Sequence, residues 1–258
     1  MDKGSVTYVE DGPIGHVVFD RPQARNAMTW KMYDELATAC RTITENSDIR
    51  AVTLRGAGGK AFIAGTDIGQ FQEFTDGEDG IEYEKNVEVY LDALVSVPVP
   101  VLAVIEGWAV GGGLAIAAAC DIRIATPDAR FGVPIARTLG NCLSAKNIST
   151  LVSVFGVSRV NRMLLAAEIL DADEARTAGF LGEIVAADKI TDRANEIATT
   201  LSTNAPVTLR STKQALARLA TDPAPDDQDL IRQTYGSEDF KLGVKAFVEK
   251  TKPVWTGK

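Results

Sequence analysis

Val99-Pro100-Val101-Leu102-Ala103-Val104-Ile105-Glu106-Gly107-Trp108-Ala109-Val110-Gly111-Gly112-Gly113-Leu114-Ala115-Ile116-Ala117-Ala118-Ala119-Cys120-Asp121-Ile122-Arg123-Ile124-Ala125 is the stretch on which the fold turns. Val99–Ile105 is dense in β-branched and aliphatic residues, the composition of a strand buried on both faces. Gly111, Gly112 and Gly113 then open a small apolar helix over Leu114–Ala119, and Ile122–Ala125 reads as another strand. Strand, helix and strand in this order argue for an α/β core.

Working toward the N-terminus, a helix is expected over roughly Ile81–Val95, preceded by an acidic, Gly-rich segment, Asp76–Gly80, that reads as a mobile loop. Ala51–Arg55 is a strand ended by Gly56, Gly58 and Gly59. From Thr29 to Ile43, apolar side chains recur at three- and four-residue spacing (Met32, Leu36, Ala39/Cys40, Ile43), an amphipathic helix with Thr29 as its cap. Val6–Glu10 and Gly15–Phe19 flank Asp11-Gly12-Pro13 and read as an opening hairpin. Toward the C-terminus the pattern after about Lys189 is helical only: Ile190–Leu201, Val207–Leu219, Gln228–Tyr235 and Glu238–Glu249. Thr221–Asp227, rich in Pro and Asp, reads as a surface connection. The organisation expected is a core over residues 1–200 with a helical segment over 201–258 appended to it.

The totals suit a soluble globular protein: 258 residues, 45% apolar and 24% charged. With 27 Lys and Arg against 35 Asp and Glu, the net charge of −8 supplies no overall field for nucleic acid or an anionic membrane. Phosphate on any ligand must be met by local cations and backbone N–H groups. Cys40, Cys120 and Cys142 fit neither a metal-ligand spacing nor a disulfide framework, which suits a reducing compartment. The apolar run Val95–Ile105 is broken by Pro98 and Pro100 and is too short to span a bilayer. No signal-peptide core follows Met1-Asp2-Lys3-Gly4-Ser5, so a cytoplasmic location is expected. The single histidine, His16, lies in an opening strand, where a structural role is expected. No metal site and no separate cofactor are expected.

Five segments occur together in one order. They are Asp20-Arg21-Pro22 with Arg25-Asn26-Ala27; Ala61-Phe62-Ile63-Ala64-Gly65-Thr66-Asp67-Ile68; Glu106–Gly113; Ala118–Ala125; and Phe240–Lys250. In this the chain resembles the crotonase (enoyl-CoA hydratase/isomerase) superfamily over nearly its whole length. The resemblance implies a spiral of ββα turns with C-terminal helices that pack in homotrimers or dimers of trimers, and an acyl-CoA thioester as partner.

Crotonase-type reactions pass through an enolate or related oxyanion of a thioester, which calls for two N–H donors fixed where the charge develops. Gly112, at the positive end of a helix dipole and lacking a side chain, suits one donor. By resemblance the other is the N–H of Thr66, whose side chain is expected to contribute little. Close packing of a helix on a strand is the plainer account of three glycines, and the Ala-Gly-Thr-Asp segment tips the balance toward an oxyanion hole. Further carry-overs are CoA contacts at Ala24, Arg25, Ala64, Asp67 and Ile68, with Phe247 and Lys250 reaching a neighbouring subunit's CoA. Read alone, Arg25 and Lys250 are solvated surface cations. Asp121 is expected to brace the fold.

The sequence departs from that pattern where hydratases place two glutamates. Those positions hold Ala115, in Gly113-Leu114-Ala115, and Ile135, in Arg130-Phe131-Gly132-Val133-Pro134-Ile135. Neither can exchange a proton. Asn141 and Cys142 stand near positions that carry a reactive group in related enzymes, and Arg137 could bind a substrate carboxylate or lower the Cys142 pKa. A buried small residue in a loop entering a helix is the plainer reading of Cys142. Asp67, Glu82, Tyr83 and Glu84 are further groups on the lid side. Two readings stay open: an enzyme of this family with a non-standard proton carrier (isomerase, decarboxylase or thioesterase), or a catalytically silent acyl-CoA-binding scaffold.

Overall fold

The computed structural model describes residues 3–220 and 222–258, so Thr221, first residue of the expected connection, lies outside the described residues, as do Met1 and Asp2. The chain opens as an antiparallel hairpin, β1 (Ser5–Asp11) and β2 (Ile14–Asp20), with Val6 opposite Phe19. Helix α1 (Trp30–Glu45) follows, and Thr29 caps it by accepting the Met32 N–H. The face expected to be apolar is the buried one: Met32, Tyr33, Leu36, Ala39, Cys40 and Ile43.

Three pairs of strands then alternate between two sheets. They are β3 (Ala51–Gly56) with β4 (Ala61–Ala64), β5 (Val101–Ile105) with β6 (Trp108–Val110), and β7 (Ile122–Ala125) with β8 (Arg130–Gly132). Helices α2 (Gly77–Val95) and α3 (Gly112–Ala118) return the chain after the first two pairs. After the third come α4 (Ile135–Thr138), α5 (Ala145–Phe155) and α6 (Val157–Leu165), then β9 (Ile169–Asp171), α7 (Ala172–Thr177) and β10 (Glu183–Ile184). The larger sheet has the order β1-β2-β3-β5-β7-β10 and the smaller β4-β6-β8-β9. Each turn adds one parallel strand to each sheet, which is the expected spiral of ββα turns.

Strand β5 shows why its run is unbroken. Val101, Ala103 and Ile105 face the main core with Phe62, Leu114 and Phe131, whereas Leu102 and Val104 face a second cluster with Ile124, Val185, Ile190 and Ala194. Burying each such side chain contributes about 2 kcal/mol. The second cluster is roofed by α8 (Ile190–Thr203), first of the four C-terminal helices; α9 (Pro206–Leu219), α10 (Gln228–Gly236) and α11 (Glu238–Glu249) complete them. Residue 200 therefore falls inside α8.

One expectation is corrected. Asp76–Gly80 is no loop: Asp76 is the N-cap of α2, and its side chain and that of Asp79 close a reciprocal capping box. The carboxylates that suggested a solvated loop satisfy the first N–H groups of a helix instead. The small strands β4, β6 and β8 had no counterpart in the sequence reading, being three or four residues long. No helix among the described residues is long and apolar enough to cross a membrane.

Candidate active site

Three consecutive glycines have three different reasons. Gly111 has φ +55°, so it makes the turn out of β6. Gly113 packs so tightly on β4 that a Cβ there would sit 2.0 Å from the Ile63 carbonyl oxygen. Gly112 faces the end of β4: a Cβ there would lie 2.7 Å from the Tyr33 hydroxyl, 3.2 Å from Thr66 Oγ1 and 3.8 Å from Thr66 N. The plainer packing account thus holds for Gly113, and Gly112 is the residue that meets Thr66.

The backbone at Thr66 is set by a parallel bridge to Met28. Met28 N–H donates to Gly65 O at 2.9 Å and Asp67 N–H donates to Met28 O at 2.8 Å. In such a ladder the bridged residue turns its own N–H to the opposite side. The Thr66 N–H is therefore directed away from Met28. Gly112 is the first residue of α3, whose opening N–H groups have no carbonyl one turn back. Leu114 and Ala115 both donate to Gly111 O.

The loop that carries Met28 is held by a buried residue, Asn26. Its Nδ2 donates to Ala57 O at 2.9 Å and Ala61 O at 2.8 Å, and its Oδ1 accepts the Arg21 N–H. Arg25 and Asn26 both have left-handed backbone, and Arg25 O accepts the Ala64 N–H. Arg25 is exposed, its guanidinium 5.9 Å from the Trp108 ring centroid. Asp67 is committed: its carboxylate pairs with Arg21 at 2.7 Å and caps the Gly69 N–H of a short 3-10 turn. Ala24 is half-buried and Ile68 exposed.

The Thr66 side chain is the feature the sequence reading missed. Its hydroxyl lies 2.9 Å from the Tyr33 hydroxyl and 3.1 Å from that of Tyr83, a pair of contacts that the sequence reading did not anticipate. Trp30, Phe71, Phe74 and Tyr90 pack around these two tyrosines. Burial raises the pKa of Tyr33 and of Tyr83. The lone usable signal was the aromatic spacing on the two helices that flank Thr66. Beside Tyr83, burial also raises the Glu84 carboxyl, which accepts the Ser144 N–H at 2.7 Å. Among the described residues, no group of three or more His, Cys, Asp or Glu is placed to hold a metal ion.

Other candidates are placed as follows. Ala115 lies on the wall of a cavity of about 690 Å³ between α2, α3, α5 and α9, which the buried Asn147 also lines. Neither Thr66 nor Gly112 lines that cavity, so this space and the Thr66–Gly112 approach are separate features. Ile135 opens α4 and packs on the main core; Arg137, Asn141 and Cys142 are exposed, so the expected burial of Cys142 is corrected: it lies on the open connection from α4 to α5. Phe247 is 87% exposed near the end of α11, and Lys250 ends that helix in left-handed backbone. Asp121 accepts from Val101 N–H and Lys213 Nζ, each at 2.7 Å, and so braces β5 against α9. His16 Nδ1 meets Thr53 Oγ1 across the sheet at 2.7 Å.

A sequence model described as "Enoyl-CoA hydratase/isomerase" matches residues 10–258. The chain belongs to that family. It is 32% identical over 256 residues to the short-chain-enoyl-CoA hydratase of Clostridium acetobutylicum, covering 98% of this chain and 97% of that one. Among solved structures it is similar to an enoyl-CoA hydratase/carnithine racemase from Magnetospirillum magneticum (TM-score 0.92, 34% identity, 100% and 97% of the two chains). It is similar also to the enoyl-CoA hydratase of Bacillus anthracis, with TM-score 0.87 and 27% identity over all of both chains. Family membership accounts for the ββα spiral and makes the chain an enzyme of the hydratase/isomerase class, though one lacking a carboxylate at 115 and 135.

Proposed function

We propose that this enzyme binds an acyl-CoA thioester with its carbonyl oxygen between the N–H groups of Thr66 and Gly112 and stabilises the oxyanion formed there. The observation that carries the reading is the approach of these two groups. Thr66 N–H is turned away from its bridge partner, and Gly112, side-chain-free at the start of α3, would place a Cβ 3.8 Å from Thr66 N. One such fixed donor is worth about 3 kcal/mol to a developing oxyanion. Ala24, Arg25, Ala64, Asp67 and Ile68 form the CoA side of the site, where Arg25, held over Trp108, meets phosphate. Asp67 acts there through Arg21 and its backbone.

The two carboxylates that would hold and deprotonate a water are replaced by Ala115 and Ile135, so addition of water is not the favoured reaction. Isomerisation, decarboxylation or thioester hydrolysis remain, with the proton carried by another group or by the substrate. Asn141 and Cys142 are the carriers named from the sequence, with Arg137 beside them; all three are exposed on or next to the connection from α4 to α5. Exposed Phe247, Val248 and Val254 support assembly into a homotrimer or a dimer of trimers, in which Phe247 and Lys250 reach a neighbour's CoA.

The test is incubation of the purified protein with crotonyl-CoA in heavy water, followed by mass spectrometry. Deuterium uptake without net addition of water is the expected result. Hydration at enzyme-like rates would overturn the exclusion. Failure to bind any acyl-CoA would overturn the reading as a whole, and binding without exchange would favour the silent scaffold.

A further inference from the structure

We propose that the hydroxyls of Tyr33, Thr66 and Tyr83 form a hydrogen-bond chain that leaves one O–H donor, on Tyr83, for a substrate oxygen beside the paired N–H groups of Thr66 and Gly112. This rests on the oxyanion-hole reading and extends it from two donors to three.

A count of protons carries the argument. Three hydroxyls bring three protons, and the chain contains two hydrogen bonds, at 2.9 and 3.1 Å, so one O–H is left over. Tyr33 is 1% exposed, and its hydroxyl has Thr66 as its hydrogen-bond partner. A buried donor left unpaired is costly, so the Tyr33 proton goes to Thr66. Thr66 then passes its own proton to Tyr83, because a head-to-tail order lets each bond polarise the next. The proton that remains is that of Tyr83, a residue that is only partly buried, as is Thr66.

The chain lies against the donors already described. The Cβ position of Gly112 falls 2.7 Å from the Tyr33 hydroxyl and 3.2 Å from Thr66 Oγ1, so any side chain at 112 would displace the chain. Trp30 and Phe71 hold the Tyr83 ring, with centroids 5.6 and 4.9 Å away. Burial raises both tyrosine pKa values, which keeps the phenols protonated at neutral pH, as a donor must be. Tyr33 is a positioning residue that acts through Thr66.

The experiment uses the full chain and three variants, Tyr83→Phe, Thr66→Ala and Thr66→Ser. It follows α-hydrogen exchange of butyryl-CoA in heavy water and the enolate absorbance of bound acetoacetyl-CoA. Loss of one donor lowers saturated exchange by about tenfold in Tyr83→Phe, with butyryl-CoA affinity retained. Thr66→Ala follows it, Thr66→Ser rescues most of the rate lost in Thr66→Ala, and the enolate band shifts in Tyr83→Phe and Thr66→Ala. A folded Tyr83→Phe or Thr66→Ala protein that exchanges at the wild-type rate overturns the proposal while leaving the oxyanion hole intact. A wild-type protein that neither exchanges nor binds acetoacetyl-CoA overturns both.

Discussion

Arg21 holds the Asp67 carboxylate at 2.7 Å, and Asp67 is the residue whose N–H donates to Met28 O and so helps set the backbone at Thr66. Arg21 also donates to Ala27 O at 3.1 Å within the loop after β2, so its pair with Asp67 ties that loop to the segment after β4. With side chains 10% and 28% exposed, the pair is shielded from solvent more than a surface ion pair. Asp67→Asn should therefore cost about 1–3 kcal/mol, the worth of a charge-assisted bond. Thermal denaturation measures it, together with a rise in the KM for acyl-CoA. A variant as stable as the wild type would show that the pair does not hold this segment.

The two buried thiols should be inert. Burial pushes Cys40 up to about 11 and Cys120 up to about 12, whereas Cys142 is exposed. Thiolate is the reactive form, so a disulfide reagent at neutral pH should titrate one fast equivalent in native protein and three after unfolding. Cys142→Ser should abolish the fast equivalent, and full exchange activity in that variant would remove Cys142 as proton carrier.

Glu84 should make folding weaken as pH rises. Burial raises its pKa above the ordinary carboxylate value of 4.5, so the unfolded chain releases this proton first. Its contribution is most favourable below 4.5 and declines as pH climbs through the raised folded value. Glu84→Gln should remove that decline and gain no more than about 1 kcal/mol at pH 7, since the group is half exposed. Denaturant titrations of both proteins between pH 4 and 8 read it, and a Glu84→Gln protein less stable at neutral pH would contradict the sign.

Carboxylates can be returned to the two positions that lack them. Ala115 is partly exposed on the cavity wall and Ile135 partly exposed at the start of α4, so neither substitution places a carboxylate at a fully buried position. The double substitution Ala115→Glu with Ile135→Glu should raise crotonyl-CoA hydration by about 10²-fold or more, the scale of positioned acid–base catalysis. Each single substitution should give little. No gain in a folded double variant would mean that the N–H pair does not present the thioester to these positions.

The C-terminal tail should depend on one acid. Asp239, 2% exposed, accepts from Thr256 N–H at 2.7 Å, Thr256 Oγ1 at 3.0 Å and Gly257 N–H at 3.0 Å. Asp239→Ala should cost about 2–3 kcal/mol and open the tail to proteolysis after α11. A protected tail in that variant would refute the role.

Much was legible in the linear chain because it depends on local pattern or on segment order. The α1 face, the two-sided strand β5, the four C-terminal helices and Gly112 follow from spacing, β-branching and glycines. That Ala115 and Ile135 carry no carboxylate was visible because residue identity needs no coordinates. Asp76–Gly80 was misread because acidic residues serve loops and helix caps alike, and only a neighbouring N–H decides between them. Strands of three or four residues gave no period to detect.

The tertiary structure alone decided which residues meet. Tyr33 on α1, Thr66 after β4 and Tyr83 on α2 span 50 positions of sequence, yet their hydroxyls lie within hydrogen-bond distance. The sequence by itself determined the α/β core, the family and the absence of a carboxylate at 115 and 135, since these reside in pattern, segment order and identity. The direction of the Thr66 N–H, the separate duties of three adjacent glycines and the hydroxyl chain came only with the fold, because a hydrogen bond depends on distance and angle, which a linear chain does not state.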